Sequence, residues 1–384
     1  MKKVVNIGDV KIGGEYPAAV QTMSNLPTTD VKAVVRQAHS CRDEGCRIFR
    51  VAVYDAASAE ALGAIKKSVK MPIVADIHFD YRLGVAAAKN GADKLRINPG
   101  NMPKEGLRIL ARTAKEYGIP VRVGVNGGSL EKKYATTARG VSGEEISANS
   151  GEEISANSGM CLEAGVKNSG NQDMRGISRA EALVNSALDG AGLLEGEGLS
   201  DIVVSLKSSA AAETVAAYRL AGRLCGYPLH IGVTEAGSPD YGIIKSAAAA
   251  GALLLDGIGD TIRVSLTADP VSETRAAVKI LRAVGLDRNY AEVIACPKCG
   301  RCVHDTEGFV RTVENFTADV KTPLKIAVMG CAVNGPGEAA ESDIGIAFGG
   351  SGAAIFKYGR VYKTVPTEEA EREFLREIEA LKMR

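Results

Sequence analysis

The chain has 384 residues, of which 45% are hydrophobic and 24% are charged, as in an ordinary globular protein. Its formal net charge is only +1, it contains no tryptophan, and aromatic residues make up 5% of it. We therefore expect neither nucleic acid nor a membrane as a partner, because the chain offers no bulk positive charge and few rings for base stacking.

The N-terminal sequence MKKVVNIGDV has no uninterrupted apolar run of the kind that a signal peptide carries. The longest apolar stretch, at 247–255, is about half the roughly 20 residues needed to span a membrane. We therefore predict a cytoplasmic protein. In that compartment the eight cysteines are better explained as thiols or metal ligands than as disulfides.

Eight short runs rich in Val and Ile alternate with segments of helical periodicity in the first three quarters of the chain. The runs lie at 18–23, 47–53, 72–79, 94–100, 120–128, 201–209, 228–237 and 261–269. This alternation predicts a parallel (β/α)8 barrel of the TIM type over 1–289, with a doubly wound open sheet as the alternative. The preceding sequence KVVNIGDVKIGG predicts a small hairpin at the barrel floor.

The pattern changes after residue 289, where a cysteine-rich stretch is followed by β-type and helical patterns. The sequence from 344 to 365 predicts a β-hairpin, and 367–384 predicts a charged amphipathic helix. We therefore predict a second, α+β domain over 290–384.

Polar residues lie near the carboxyl end of each predicted barrel strand from the second to the eighth, where active sites of such barrels are built. Five of these residues are cations, each from a different strand, namely Arg50, Arg96, Arg122, Lys207 and Arg263. Few acidic residues are beside them, so the cations predict a ligand with two phosphate groups. Asp76 and Glu235 are then available for orientation or proton transfer. His78 is equally well explained as a structural histidine.

The sequence ACPKCGRC places Cys296, Cys299 and Cys302 at intervals of three residues. A zinc site requires a second cysteine or histidine pair, and a ferredoxin-type run requires a fourth cysteine, and neither is present nearby. The glycine-rich loop GCAVNGPGE supplies Cys331, with Asn334 and Glu338. Two thiolates from CPKC together with Cys331 would leave one iron of a cluster to an oxygen donor, which is a weak and displaceable ligand.

The motifs ACPKC and GCAVNGPGE resemble those of the 4-hydroxy-3-methylbut-2-en-1-yl diphosphate synthase family, iron–sulfur enzymes of the non-mevalonate isoprenoid pathway. The barrel phrases PAAVQTM, VADIHFD, LRINPGN, VRVGVNGGSLE and GVTEAG are similar to those of the same family. The resemblance extends over nearly the whole chain. It implies an oxidoreductase that opens the ring of 2-C-methyl-D-erythritol 2,4-cyclodiphosphate with two electrons and releases a hydroxyl group as water.

The resemblance also implies roles for individual residues. The ligands of one [4Fe–4S] cluster would be Cys296, Cys299, Cys331 and Glu338. The five barrel cations would bind the diphosphate, with further substrate contacts from Asp76, His78, Asn98, Asn126, Ser265 and Asn334. Glu235 would be the proton donor and Glu338 a second catalytic residue. Reduced flavodoxin or ferredoxin would supply electrons, and the enzyme would be a homodimer in which the cluster domain of one chain caps the barrel of the other.

Two features depart from the family pattern. Cys302 follows CPKC where no cysteine is expected, and we interpret it as a bystander. The stretch 139–176, which carries the octapeptide SGEEISAN twice in tandem, is interpreted as an inserted polar loop. Two other functions stay open from the residues alone, a zinc-stabilised barrel enzyme acting on another phosphorylated metabolite and a non-catalytic metal-binding module.

Overall fold

A computed structural model of the chain describes residues 2–130, 134, 177–333, 335–350 and 352–382. The chain divides into two compact units, Met1–Leu286 and Asp287–Arg384. The predicted insertion at 139–176 and the predicted substrate contact Asn334 lie outside the described residues.

The described part of the first unit contains eight parallel strands that alternate with helices. These strands are β3 (Ala19–Met23), β4 (Ile48–Val53), β5 (Ile73–Ile77), β6 (Lys94–Ile97), β7 (Val121–Asn126), β8 (Ile202–Lys207), β9 (His230–Ile231) and β10 (Thr261–Ile262). Their order is β8-β7-β6-β5-β4-β3-β10-β9, and a parallel bridge between Val204 and Leu229 joins the two ends of that order. The predicted barrel is confirmed, and the open doubly wound sheet is wrong because its two edges meet.

Helices pack around the strands and bury a continuous apolar layer between them. They span Val31–Asp43, Ala56–Ser68, Tyr81–Lys89, Lys104–Tyr117, Arg179–Gly196, Ala211–Leu224, Pro239–Leu255 and Pro270–Ala283. Several begin at an acidic cap, as where Asp55 accepts a hydrogen bond from the Ser58 N–H and Asp269 from the Val271 N–H. Such caps satisfy backbone donors that have no partner within the helix.

The seventh and eighth barrel strands are two residues long, shorter than the runs at 228–237 and 261–269. Gly232 directly follows β9 with a φ of 150°, which residues with a side chain rarely adopt. A Cβ at this position would lie 2.2 Å from the Arg263 carbonyl oxygen. The chain therefore leaves the regular ladder here, and the residues beyond it form loops at the carboxyl end of the barrel.

A hairpin covers the amino end of the barrel, as the sequence predicts. Its strands β1 (Val5–Ile7) and β2 (Val10–Ile12) are antiparallel. The apolar side chains of the hairpin are buried in one cluster with the first inward residues of the barrel strands, Ala19, Ile48, Val74 and Val203. This cluster closes the floor, so that access to the interior is from the carboxyl ends of the strands.

The second unit has a five-stranded sheet in the order β11-β12-β13-β14-β15. The strands are β11 (Ala291–Ala295), β12 (Leu324–Met329), β13 (Ile344–Phe348), β14 (Ala353–Lys357) and β15 (Arg360–Val365). The first three are parallel and the last three antiparallel, and the helices are Thr306–Phe316, Gly335–Ala340 and Thr367–Lys382. The region 344–365 thus holds three strands where the sequence predicts two, because Gly359 (φ 82°) allows a further tight turn.

In the parts of the chain that the structure describes, no helix combines the length and the apolar character needed to cross a membrane.

Candidate functional site

The five predicted cations lie inside the barrel or at its mouth. Arg50, Arg96, Arg122 and Lys207 are on β4, β6, β7 and β8 and are at most 8% exposed, and Arg263 follows β10. Burial and then the charges of the four arginines hold the pKa of Lys207 well below its usual value. The four arginines are therefore close enough to Lys207 to oppose its charge.

Asp76 joins two of these arginines. Its Oδ1 lies 3.2 Å from Arg96 Nη1, and its Oδ2 lies 4.0 Å from Arg50 Nε and 3.2 Å from His78 Nε2. Burial by itself would raise the pKa of the Asp76 carboxyl, but Arg50, His78 and Arg96 outweigh it and hold that pKa well below its usual range. Asp76 is therefore held in its ionised form at neutral pH, which favours orientation over proton donation as its role.

Glu273, which the sequence analysis missed, anchors the fifth cation. This residue lies in the helix Pro270–Ala283 and is 5% exposed. Its Oε2 is 3.4 Å from Arg263 Nη2 and accepts a hydrogen bond of 3.0 Å from Thr22, while its Oε1 accepts one of 2.9 Å from the Leu266 N–H. Glu273 lies in a helix and not at the end of a strand, so the strand-end pattern that predicts the cations does not include it.

Several guanidinium nitrogens in this cluster have no hydrogen-bond partner within the described residues. These buried nitrogens are Nε and Nη1 of Arg122, Nε of Arg96 and Nε of Arg263. Buried donors are usually paired, and each unpaired one is costly. Only two buried carboxylates, Asp76 and Glu273, form ion pairs with the five cations in the described barrel. The five barrel cations are thus suited to bind a ligand that carries more than one negative charge.

Gly124 on β7 makes room for one of the arginines. A Cβ at this position would lie 2.9 Å from Arg96 Nε and 3.0 Å from Ser205 Oγ. Real Cβ atoms essentially never come within 3.0 Å of another heavy atom, so the guanidinium group keeps its place only beside glycine.

The remaining barrel residues of the predicted set lie at the same end. Asn98 is buried and accepts a hydrogen bond of 3.0 Å from the Gly100 N–H, while Asn126 ends β7 and Ser265 follows β10, both half-buried. Glu235 is exposed in the loop after β9 and has a φ of 51°. A non-glycine residue in this region is strained, and such strain is often found at functional sites.

The cysteines of the second unit lie at the ends of two adjacent strands. Cys296 follows β11 and Cys331 is two residues beyond β12, and these strands pair in parallel with Ala295 opposite Val328. The Gly330 N–H donates to Cys296 Sγ at 3.2 Å, so the first thiol lies beside the residue that precedes Cys331.

The turn that carries Cys299 and Cys302 packs against the same glycine. The Val303 N–H donates to the Gly330 carbonyl at 3.0 Å, and the Cys302 N–H donates to the Cys299 carbonyl at 3.0 Å. The Cys302 thiol donates to the His304 carbonyl at 3.1 Å and is 3.4 Å from Thr306 Oγ1. The hydrogen bonds with Thr306 and His304 lower the pKa of the Cys302 thiol.

The donors present fit an iron–sulfur group by their chemistry. Cys296 and Cys299 form no disulfide among the described residues, Cys331 supplies a third sulfur, and Glu338 is exposed with no hydrogen bond or ion pair of its carboxylate among those residues. An N–H donor to a cysteine sulfur is a common feature around such clusters. Within those same residues, no three His, Cys, Asp or Glu side chains are grouped closely enough to hold a single metal ion. The ligand set therefore stays a prediction.

Comparison with known proteins covers both units. The profile of the GcpE TIM-barrel domain matches residues 2–278, and that of the GcpE protein C-terminal domain matches residues 292–380. A protein of Caldanaerobacter subterraneus subsp. tengcongensis named 4-hydroxy-3-methylbut-2-en-1-yl diphosphate synthase (flavodoxin) is 46% identical over 382 residues, which is 99% of this chain and 97% of that protein. Another of the same name, from Ruminiclostridium cellulolyticum, is 43% identical over 98% of this chain and 96% of its own length.

Both profiles and both relatives agree with the motifs in the barrel and in the cysteine-rich unit. The resemblance predicted from the sequence is confirmed, and the chain belongs to the GcpE family.

Proposed function

We propose that the chain is an oxidoreductase that converts 2-C-methyl-D-erythritol 2,4-cyclodiphosphate into 4-hydroxy-3-methylbut-2-enyl diphosphate. The observation that carries this proposal is the buried cation cluster, in which, among the described residues, five cations share two carboxylates and four guanidinium nitrogens have no hydrogen-bond partner. A cyclic diphosphate carries two negative charges on neighbouring phosphoryl groups, which suits this excess. The names of the relatives from Caldanaerobacter and Ruminiclostridium support the same substrate class.

The barrel residues would bind and orient the substrate. Two buried donors of Arg122 have no partner in the described part of the chain, and the pKa of Lys207 is held low by burial and the surrounding arginines, so both residues gain most from an anion. Arg50 and Arg96 are already held by Asp76, and Arg263 by Glu273, and each can present its remaining donors in a fixed direction. Asn98, Asn126, Ser265 and Asn334 would add hydrogen bonds, with His78 beside Arg96.

The second unit would hold a [4Fe–4S] cluster through Cys296, Cys299, Cys331 and Glu338. When bound, such a cluster transfers electrons singly to a substrate. This assignment is supported by the positions of Cys296 and Cys331 at adjacent strand ends and by the exposed carboxylate of Glu338, which has no partner among the described residues. A carboxylate is a weaker iron ligand than a thiolate, so Glu338 would be the ligand that the substrate displaces.

Glu235 is proposed as the proton donor. With substrate and product counted as neutral acids, two electrons and two protons open the ring and release one water. One proton must reach the departing hydroxyl oxygen, and the exposed carboxylate of Glu235 stands on a strained loop at the barrel mouth. Asp76 cannot take this part because its pKa is held too low.

The name of the relatives supports flavodoxin as the electron donor, with ferredoxin as the alternative. We also propose a homodimer and a cytoplasmic location, and sedimentation of the purified protein tests the homodimer.

The competing function, a zinc-stabilised barrel enzyme for another phosphorylated metabolite, predicts a colourless protein with zinc. Anaerobic purification separates the two, because the cluster enzyme is brown and contains iron and sulfide.

Turnover of the cyclic diphosphate by the wild type tests the function directly, and two variants of Glu338 test the mechanism. Glu338→Ala leaves three thiolates, so we expect much of the cluster to survive while turnover falls. Glu338→Cys should bind iron more firmly and resist displacement, so turnover should also fall although cluster content stays full. Cluster content and turnover are measured side by side under anaerobic conditions. An active Glu338→Cys enzyme with thiolate at the fourth iron contradicts ligand exchange at this position.

A further inference from the structure

A second polar level lies beneath the five cations, nearer the barrel floor. Lys94 is the first residue of β6, two residues before Arg96 and thus about 7 Å deeper along the strand. In the register of the sheet it is beside Val74, whose side chain belongs to the floor cluster. Lys94 is 0% exposed, and its Nζ donates to Gln21 Oε1 at 3.2 Å. Since Gln21 is on β3, three strands away, this hydrogen bond crosses the barrel interior.

The surroundings of Lys94 do not favour its charged form. An ammonium group has three donors, and one of them is accounted for by the amide oxygen of Gln21. Burial, together with the charges of Arg122 and Arg50, holds the pKa of Lys94 well below its usual value. A buried lysine without an acidic partner commonly loses its proton in this way.

The other titratable groups around Lys94 offer no compensation. Asp76 on β5 is committed to Arg50 and Arg96, and Lys94 forms no ion pair with a carboxylate among the described residues. His230 on β9 is 0% exposed, its Nδ1 is 2.7 Å from Thr261 Oγ1, and burial together with the charge of Arg122 keeps its pKa well below the usual value. Among the described residues, the layer formed by Lys94, Gln21 and His230 therefore has no negative charge that would offset a protonated Lys94.

We propose that Lys94 takes up a proton from solvent when a multiply charged anion enters the barrel, so that the residue adds a positive charge beneath the ligand without touching it. The proposal rests on the function proposed above and names a positioning residue for its substrate. Two negative charges placed above Arg122 and Arg50 offset the repulsion that these arginines exert on Lys94. Because binding then consumes a proton, affinity rises as pH falls, by up to about tenfold per pH unit for one proton.

Calorimetric titration of the full-length, cluster-loaded protein tests this coupling. The cyclic diphosphate is added anaerobically without reductant, so that no turnover occurs, in buffers of different ionisation enthalpy near pH 8. The dependence of the heat on the buffer gives the number of protons taken up. Each phosphoryl group of the ligand has a single strongly acidic oxygen, so the ligand itself does not titrate in this range. We expect net proton uptake by the wild type.

Lys94→Met, which keeps the shape of the side chain and cannot be protonated, should take up about one proton fewer and show a flatter dependence of Kd on pH. Lys94→Arg carries a permanent charge, so it should also lose the uptake while keeping its affinity at pH 9. Lys104→Met, on an exposed helix position, is the matched control and should behave as the wild type. Lys207→Met identifies whether the lysine nearer the mouth contributes a proton of its own.

Three results would overturn the proposal. The first is binding by the wild type without proton uptake, which needs no variant to fold. The second is proton uptake by Lys94→Met equal to that of the wild type. The third is proton uptake that Lys94→Met retains and Lys207→Met loses, which would assign the proton to Lys207. These outcomes differ from failure of the proposed function, in which the cyclic diphosphate neither binds nor turns over.

Discussion

Asp76 holds two buried arginines with one carboxylate, through contacts of 3.2 Å to Arg96 and 4.0 Å to Arg50. Asp76→Asn would leave both guanidinium groups without their counter-charge, and we expect a loss of about 3 kcal/mol in the free energy of unfolding at pH 7. Urea unfolding measures this loss. Asp43→Asn is the control, because the Asp43 pair with Arg42 is exposed and should contribute less than about 1 kcal/mol.

The same substitution predicts a pH dependence. The pKa of Asp76 is lower in the folded protein than in the unfolded chain, so its stabilising contribution is fully present above the unfolded value of about 3.9 and is lost as pH falls through the folded value. The difference in unfolding free energy between wild type and Asp76→Asn should therefore be smaller at pH 3 than at pH 7. An equal difference at both values would show that charge is not the cause.

The cysteines of the second unit should separate into two groups. Cys296→Ser, Cys299→Ser and Cys331→Ser each remove a proposed thiolate ligand, and we expect each variant to lose most of its iron and sulfide. Cys302→Ser should keep the cluster, because the Cys302 thiol is already engaged with His304 and Thr306. Iron and acid-labile sulfide analysis decides the point. Cluster loss in Cys302→Ser with retention in one of the other three would reverse the assignment.

At the scale of elements, Gly330 joins the end of β12 to the cysteine-bearing turn. A Cβ at this position would lie 2.4 Å from Cys302 Sγ and 2.9 Å from Thr306 Cγ2. Gly330→Ala should therefore displace the turn, cost about 1–3 kcal/mol of stability and lower the cluster content.

Replacing the closest neighbour tests the cause. The double variant Gly330→Ala with Cys302→Ala should recover part of the stability and of the cluster, since the sulfur is then gone while Thr306 stays. Gly300→Ala is the matched control on the same turn, because a Cβ there meets no heavy atom within 4 Å. Absence of any recovery in the double variant would mean that the Cys302 sulfur is not what limits the position.

At the scale of the whole molecule, the duplicated octapeptide should be dispensable. It is polar, repetitive and without catalytic chemistry of its own. Deleting residues 150–157 removes one of the two copies, and we expect the melting temperature and the turnover of the cyclic diphosphate to stay near those of the parent. A large loss of either would mean that the segment packs against the active site or a second chain.

The sequence by itself determined the architecture, because strand and helix periods are local. Alternating runs predicted all eight barrel strands and the floor hairpin, whereas in the second unit the sequence analysis did not identify β11, the helix Thr306–Phe316 or the turn around Gly359. Spacing also singled out the cations and cysteines, since the carboxyl ends of parallel strands meet at one end of a barrel.

Only the tertiary structure decided which charges are paired. Thr22 and Glu273 are separated by 251 positions in the chain yet share a hydrogen bond, and Lys94 meets Gln21 across the barrel. No local pattern records such pairs, because they depend on which side chains face each other after the barrel closes. For the same reason the sequence could not show that Asp76 lies between two arginines, whose charges lower its pKa.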